Sequence, residues 1–168
     1  MANTYVKIGS TVTVGTLGAS SIDFTSIPST YTDLVIKLSG RTLEAYYYGS
    51  FQIRFNSSTT TYTGKDLYGI AASGVGSASR TTTYYNLDGA TATASTFASV
   101  EIYIPNYASS NYKSFSMDAA AEDNSNNNNE SLVAGLWSTS TAISSISIVP
   151  TNNFVQYSTA SLYGISKS

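Results

Sequence analysis

Val100-Glu101-Ile102-Tyr103-Ile104 alternates apolar and polar or amphipathic side chains without a break. On an extended strand successive side chains point to opposite faces, so Val100, Ile102 and Ile104 share one face and Glu101 and Tyr103 the other. The same period of two recurs along the chain: Val6 and Ile8, Val12 and Val14, Ile22-Asp23-Phe24, Leu34 to Leu38, Phe51 to Phe55, Phe115-Ser116-Met117, Ile146-Ser147-Ile148 and Leu162-Tyr163-Gly164-Ile165. Each run has a strand's usual length of about five to seven residues. Thr, Tyr, Val, Ile and Phe fill these runs, the residues that fit a half-buried pleated surface. Ser, Thr, Asn and Gly clusters separate them, as turns require.

No segment carries a sustained helical stripe. Ala119 to Glu122 could make one helical turn before Asn124 to Asn129 ends it, and that Asn run reads as a hairpin tip between Phe115–Met117 and Leu132–Trp137. Ala71 to Thr96 reads as long loops around one weakly hydrophobic strand near Tyr84–Leu87. About eight to ten short antiparallel strands mean a sandwich, a jelly roll or a closed barrel. The reading adopted is all-β: a single antiparallel jelly-roll-like β-sandwich spanning residues 1–168, with a barrel as the alternative.

Composition narrows the function. The chain is 42 % hydrophobic and 11 % charged with net charge −2, which disfavours both disorder and helical bundles. There is no Cys and no His, so disulfide scaffolds, Cys/His zinc sites, thiol nucleophiles and imidazole triads are excluded. Eight Lys plus Arg against ten Asp plus Glu leave no basic footprint for nucleic acid. The start, Met1 to Ile8, does not read as a secretory signal, and no apolar run approaches the roughly 20 residues of a membrane-spanning helix. A soluble chain made in a cytoplasm is expected.

Asp23, Asp33, Glu44, Asp66, Asp88 and Glu101 fall one per segment, and nothing selects the pair that glycoside hydrolysis needs. Asp118, Glu122, Asp123 and Glu130 bracket the Asn run and could hold a calcium ion, although their spacing is not that of an EF-hand; the plainer reading is a hydrated acidic loop. Lys7, Lys37, Arg41, Arg54, Lys65, Arg80, Lys113 and Lys167 stand singly, as surface cations and edge-strand guards do. The unusual signal is fourteen Tyr. Tyr46-Tyr47-Tyr48 lies between two strand runs and is the candidate interface, the alternative being ordinary β packing. Trp137 is expected in the core.

Three stretches resemble segments of small tailed-bacteriophage virion proteins: Ile27 to Arg41, Phe51 to Asn56, and Ile102 to Tyr107 running on through Tyr112 to Phe115. The end is the most telling: Ala142 to Ile148, a turn, Phe154 to Ser158, then Leu162-Tyr163-Gly164-Ile165, which is similar to a final hairpin that closes many phage structural domains. The family pattern has a Gly-Asp turn after the Arg-Phe-Asn strand, where this chain has Ser57-Ser58-Thr59. The resemblance implies a virion β-sandwich without an enzyme site, cofactor or metal. Expected partners are the major capsid protein or other virion proteins. Neither nucleic acid nor membrane is expected as a partner. The expected role is capsid decoration in a virion assembled in the host cytoplasm, the alternative a tail or fibre domain that binds a receptor carbohydrate. A homotrimer is expected, because local threefold positions on a shell reward three linked contacts.

Overall fold

The structure is a computed structural model and describes residues 5–70, 74–81, 84–126 and 128–166. It is all-β. The strands are β1 (Val6–Thr13), β2 (Ile22–Phe24), β3 (Asp33–Gly40), β4 (Tyr48–Phe55), β5 (Tyr62–Ile70), β6 (Val75–Arg80), β7 (Tyr84–Asp88), β8 (Ala98–Ile104), β9 (Lys113–Ala121), β10 (Asn129–Trp137), β11 (Ile146–Pro150) and β12 (Thr159–Ile165). They form an eight-stranded sheet, β1-β12-β3-β8-β9-β10-β5-β6, packed on a four-stranded sheet, β2-β11-β4-β7. All ladders are antiparallel. The sandwich is not closed, which removes the barrel.

The connectivity is that of a jelly roll with two hairpins added. The block β1-β12-β3-β8 faces β2-β11-β4-β7, and each connection between them crosses from one sheet to the other. The hairpins β5–β6 and β9–β10 do not cross; they extend the large sheet beyond β8. Phe115, Met117, Val133, Trp137 and Tyr62 are buried on the inner face of this extension, and β9 and β10 pack against β7. The large sheet therefore curls over the β7 edge of the small one.

Alternation explains the layers. Leu34, Ile36 and Leu38 on β3, Phe51, Ile53 and Phe55 on β4, and Ile102 and Ile104 on β8 all point into one continuous core. Each such side chain contributes about 1.5–3 kcal/mol by leaving water. Phe55 sits where the two sheets meet, with the rings of Phe115 at 5.6 Å, Trp137 at 5.7 Å and Tyr62 at 6.0 Å. The Tyr62 hydroxyl accepts the Phe55 N–H (2.8 Å), and burial pushes the Tyr62 phenol up to about 12. Trp137 is buried, as expected.

Four local expectations change. Ala119–Ala121 continues β9 instead of starting a helical turn, because it pairs with β10. Within Ala71–Thr96 there are two strands, not one; Val75–Arg80 pairs along its whole length with β5, while residues 71–73 and 82–83 lie outside the described residues. The final segments are not a hairpin: β11 lies in the small sheet and β12 in the large one, and Phe154 between them bridges to Ala19 and Thr42. After Phe55 the turn is made by Asn56 and Ser57 in the left-handed region (φ 49° and 61°), a conformation that glycine usually supplies. The Asn56 side chain stabilises it by accepting the Ser144 (2.9 Å) and Ser145 (3.1 Å) N–H groups and donating to Ala142 O (2.8 Å).

Candidate functional site

The four connections β1–β2, β3–β4, β7–β8 and β11–β12 meet at one end of the sandwich, as jelly-roll connectivity requires. Backbone hydrogen bonds join them. Leu43 N–H donates to Asn153 O (2.9 Å), Val155 N–H to Arg41 O (3.0 Å), Tyr157 N–H to Val14 O (3.0 Å), and Ala19 and Phe154 exchange two bonds (2.8 and 3.1 Å). Ala90 N–H reaches Glu44 O (2.7 Å), Gly89 N–H reaches Tyr47 O (3.0 Å) and Thr91 N–H reaches Tyr46 O (3.1 Å). At Gly89 a Cβ would stand 2.2 Å from Tyr46 O, so only glycine allows this approach.

Arg41 is the hub beneath these loops. Its side chain is buried, and Nη1 donates to Thr93 O (2.7 Å), Thr96 O (3.2 Å) and Thr96 Oγ1 (3.3 Å). Nη2 donates to Ala92 O (2.8 Å) and Ala90 O (3.2 Å). One planar fork thus holds the whole β7–β8 loop. Asp88 lies in its field: burial raises the Asp88 carboxyl above its ordinary range, while the Thr96 hydroxyl and the Arg41 charge act against that. Reading Arg41 as a surface cation is therefore wrong. Lys113 is also buried, its ammonium donating to Ser109 O (2.8 Å) and Asn111 O, and burial lowers its pKa.

Above this hub sits the tyrosine cluster. Tyr46 and Tyr47 lie in the β3–β4 loop and Tyr48 opens β4. Their ring centroids are 4.3, 4.9 and 5.0 Å apart, with Tyr48 edge-on to both others. Burial, helped by the hydrogen bond its hydroxyl donates to Tyr46, raises the Tyr47 phenol pKa. An open depression of about 450 Å³ lies alongside, lined by Glu44, Ala45, Tyr46, Tyr48, Ser50 and Thr151. The same end exposes Leu17 (95 %), Leu43 (48 %), Tyr46 (50 %) and Tyr157 (67 %). Of these only Tyr46 carries a signal in sequence; the others become neighbours through the loops that fold together.

Among the acidic candidates, Glu101 and Asp118 face each other across β8 and β9 on the outer face of the large sheet, beside one open depression. Asp118 and Glu130 lie on the outer face of the large sheet, Glu122 is exposed, and Asp123 turns inward and is buried. No group of three or more potential metal ligands occurs among the described residues. Asp33 accepts the Tyr103 hydroxyl (2.8 Å) and the Asn106 N–H (2.9 Å), Glu101 pairs with Lys37, and Asp66 pairs with Arg80 (2.6 Å). The β9–β10 hairpin tip does reach the loop end: Asp123 Oδ2 accepts the Thr93 N–H (3.2 Å), in the same β7–β8 loop that bonds Tyr46 and Tyr47. Asn127 is outside the described residues.

Asp123 gives the loop end an acid-sensitive tie. Its Oδ1 accepts the Ser125 hydroxyl and N–H (3.0 Å), and these bonds, the hydroxyl first, hold its carboxyl below the usual 3.8. A carboxyl whose folded pKa is depressed contributes stability that is full above the unfolded value and disappears as pH falls through the folded one. Asp123→Asn is therefore expected to flatten the decline of melting temperature below about pH 4. Melting curves across the acid range check it; an unchanged slope would remove this role.

Compared with known proteins, the chain matches no family model, no curated protein and no solved structure.

Proposed function

We propose that this chain is a structural protein of a tailed-phage virion, a β-sandwich that decorates the outside of the capsid and binds the major capsid protein through its loop end. The observation that carries the proposal is the preorganised loop end with Leu17, Leu43, Tyr46 and Tyr157 exposed. Aromatic and aliphatic side chains with few charges have the composition of an interface core. Arg41 and Asp88 are sunk beneath the surface there, and Glu44 is half-buried on the wall of the depression. Loops already fixed by backbone hydrogen bonds lose little freedom on binding. The resemblance of Ile27 to Arg41 and of the closing segments to phage virion proteins supports the same reading, and jelly rolls recur in viral shells; that last support is analogy of fold alone. The threefold grouping expected from the sequence would come from the shell, where copies at linked sites gain avidity.

Leu43→Asp with Tyr46→Asp is expected to leave the melting temperature nearly unchanged and to weaken binding to undecorated shells at least about thirtyfold, the effect of losing roughly 2 kcal/mol at an interface centre. Undiminished decoration by this variant would overturn the loop-end assignment. Particles lacking the protein should burst at lower temperature; intact heads that fail to adsorb would move the role to the tail.

The depression beside Tyr46 and Tyr48, with Glu44, Ser50 and Thr151 on its wall, favours one second reading, a carbohydrate-binding tail or fibre domain. A glycan array separates the two, since the decoration reading expects no glycan affinity.

A further inference from the structure

A strand at the edge of a sheet offers unpaired N–H and C=O groups, and proteins usually guard such edges. Three of the four edges here are guarded. β1 carries a register shift between Ile8 and Val12, with Gly9 at φ 69° and Lys7 on the outer face. β2 has only three residues and presents Asp23. β7 is overlapped by the curl of β9 and β10.

β6 has none of these devices. Val75-Gly76-Ser77-Ala78-Ser79-Arg80 pairs with β5 in unbroken register, contains no Pro or Lys, and has no partner on its second side among the described residues. Its one charge is not a guard, because Arg80 turns to the inner face and donates twice to Asp66 (2.6 and 2.8 Å). Val75 is 86 % exposed, and the outer face behind it continues through Leu67 and Leu132, both also exposed. The edge keeps one register and is made of small residues; the charges beside it are Arg80, tied inward to Asp66, and Lys65 of β5, whose ammonium reaches Ser79 Oγ (3.5 Å).

We propose that β6 pairs antiparallel with β6 of a second copy of this chain about a two-fold axis through Ser77, joining the two large sheets into one. Any strand is complementary to itself in this arrangement, so one patch serves both copies. Side chains on opposed residues must share a face, which leaves axes through Ser77 or Ala78 as those that pair most of the strand. The ring of Tyr68 covers Gly76, where a Cβ would meet it at 2.8 Å. An axis through Ala78 would set the partner's Arg80 opposite that covered glycine. An axis through Ser77 sets Ala78 there instead and leaves each Arg80 with its own Asp66. No charged side chains of β6 oppose one another in this register, so two copies meet without repulsion.

One short strand falls below the roughly 1,000 Å² of a stable interface, so the pair is weak in dilute solution and strengthens when both copies are held on one surface. This surface is separate from the loop end, and its test uses the purified chain, so either assignment can fail alone. The chain has no Cys, which makes single-cysteine variants clean reporters. Ser77→Cys places two thiols across the axis at a Cα separation of about 5 Å, within disulfide reach. Ser79→Cys places its thiols about 13 Å apart along the strands, beyond it. Under mild oxidation the first variant is expected to give a covalent dimer and the second none, while the unmodified chain shows concentration-dependent dimerisation by sedimentation equilibrium. Cross-linking of both variants or of neither would overturn the proposal, as would a covalent dimer formed only when the two variants are mixed, which is the signature of the Ala78 axis.

Discussion

Replacing Arg41 by alanine is expected to lower the free energy of unfolding by about 3–5 kcal/mol, the range for removing one member of a buried, hydrogen-bonded charge system. The loss has two parts. Carbonyls of Ala90, Ala92, Thr93 and Thr96 lose the donors that hold the β7–β8 loop, and buried Asp88 loses the nearest charge acting against its desolvation. Arg41→Lys should recover only part of this, because a single ammonium cannot span acceptors that a planar fork reaches from both nitrogens. Urea denaturation gives the free energy, and the ring contacts of Tyr46 to Tyr48, followed by NMR, give the loop end separately. A variant that kept both would remove Arg41 as the organiser of this surface.

Phe55→Ala should cost about as much, roughly 3–5 kcal/mol, for a different reason: it leaves a cavity between the two sheets. The ring is fully buried and touches Phe115, Trp137 and Tyr62, which belong to three different strands of the curled extension. Those rings cannot all close the gap, since each is fixed by its own ladder. Against a usual total of about 5–15 kcal/mol, this is enough to place the variant near its unfolding threshold. Trp137 is the sole tryptophan, so its fluorescence reports the change in the neighbourhood where it occurs. The denaturation midpoint should fall with little change in slope.

The strands with strict alternation were readable because burial on one face imposes the period: β4, β8 and β11 each follow it, and β3 follows it from Ile36 onward. β6 was not, because Gly76, Ser77, Ala78 and Ser79 carry no apolar period and become a strand only by pairing with β5. The fate of the closing segments was hidden for a related reason. β11 and β12 both read as strands, yet which sheet each joins depends on β2, β4, β1 and β3, far away in sequence. At the loop end, the Tyr46 to Tyr48 run was visible as a compositional oddity. The role of Arg41 was not, since its acceptors come from a loop some fifty residues later.

The pairing of β1 with β12, and of β2 with β11, also sets the order in which the molecule can be made. Neither early strand meets a ladder partner until β11 or β12 has been synthesised. Until then Val6, Ile8 and Ile22 have no place in a completed sheet, and the β3 side that β12 will cover stays open. Loop closure over such separations is entropically costly, which slows folding to the millisecond-to-second range of β-sandwiches. The sandwich therefore completes only once β12 has emerged, and until then its exposed strand edges make the nascent chain most prone to aggregate.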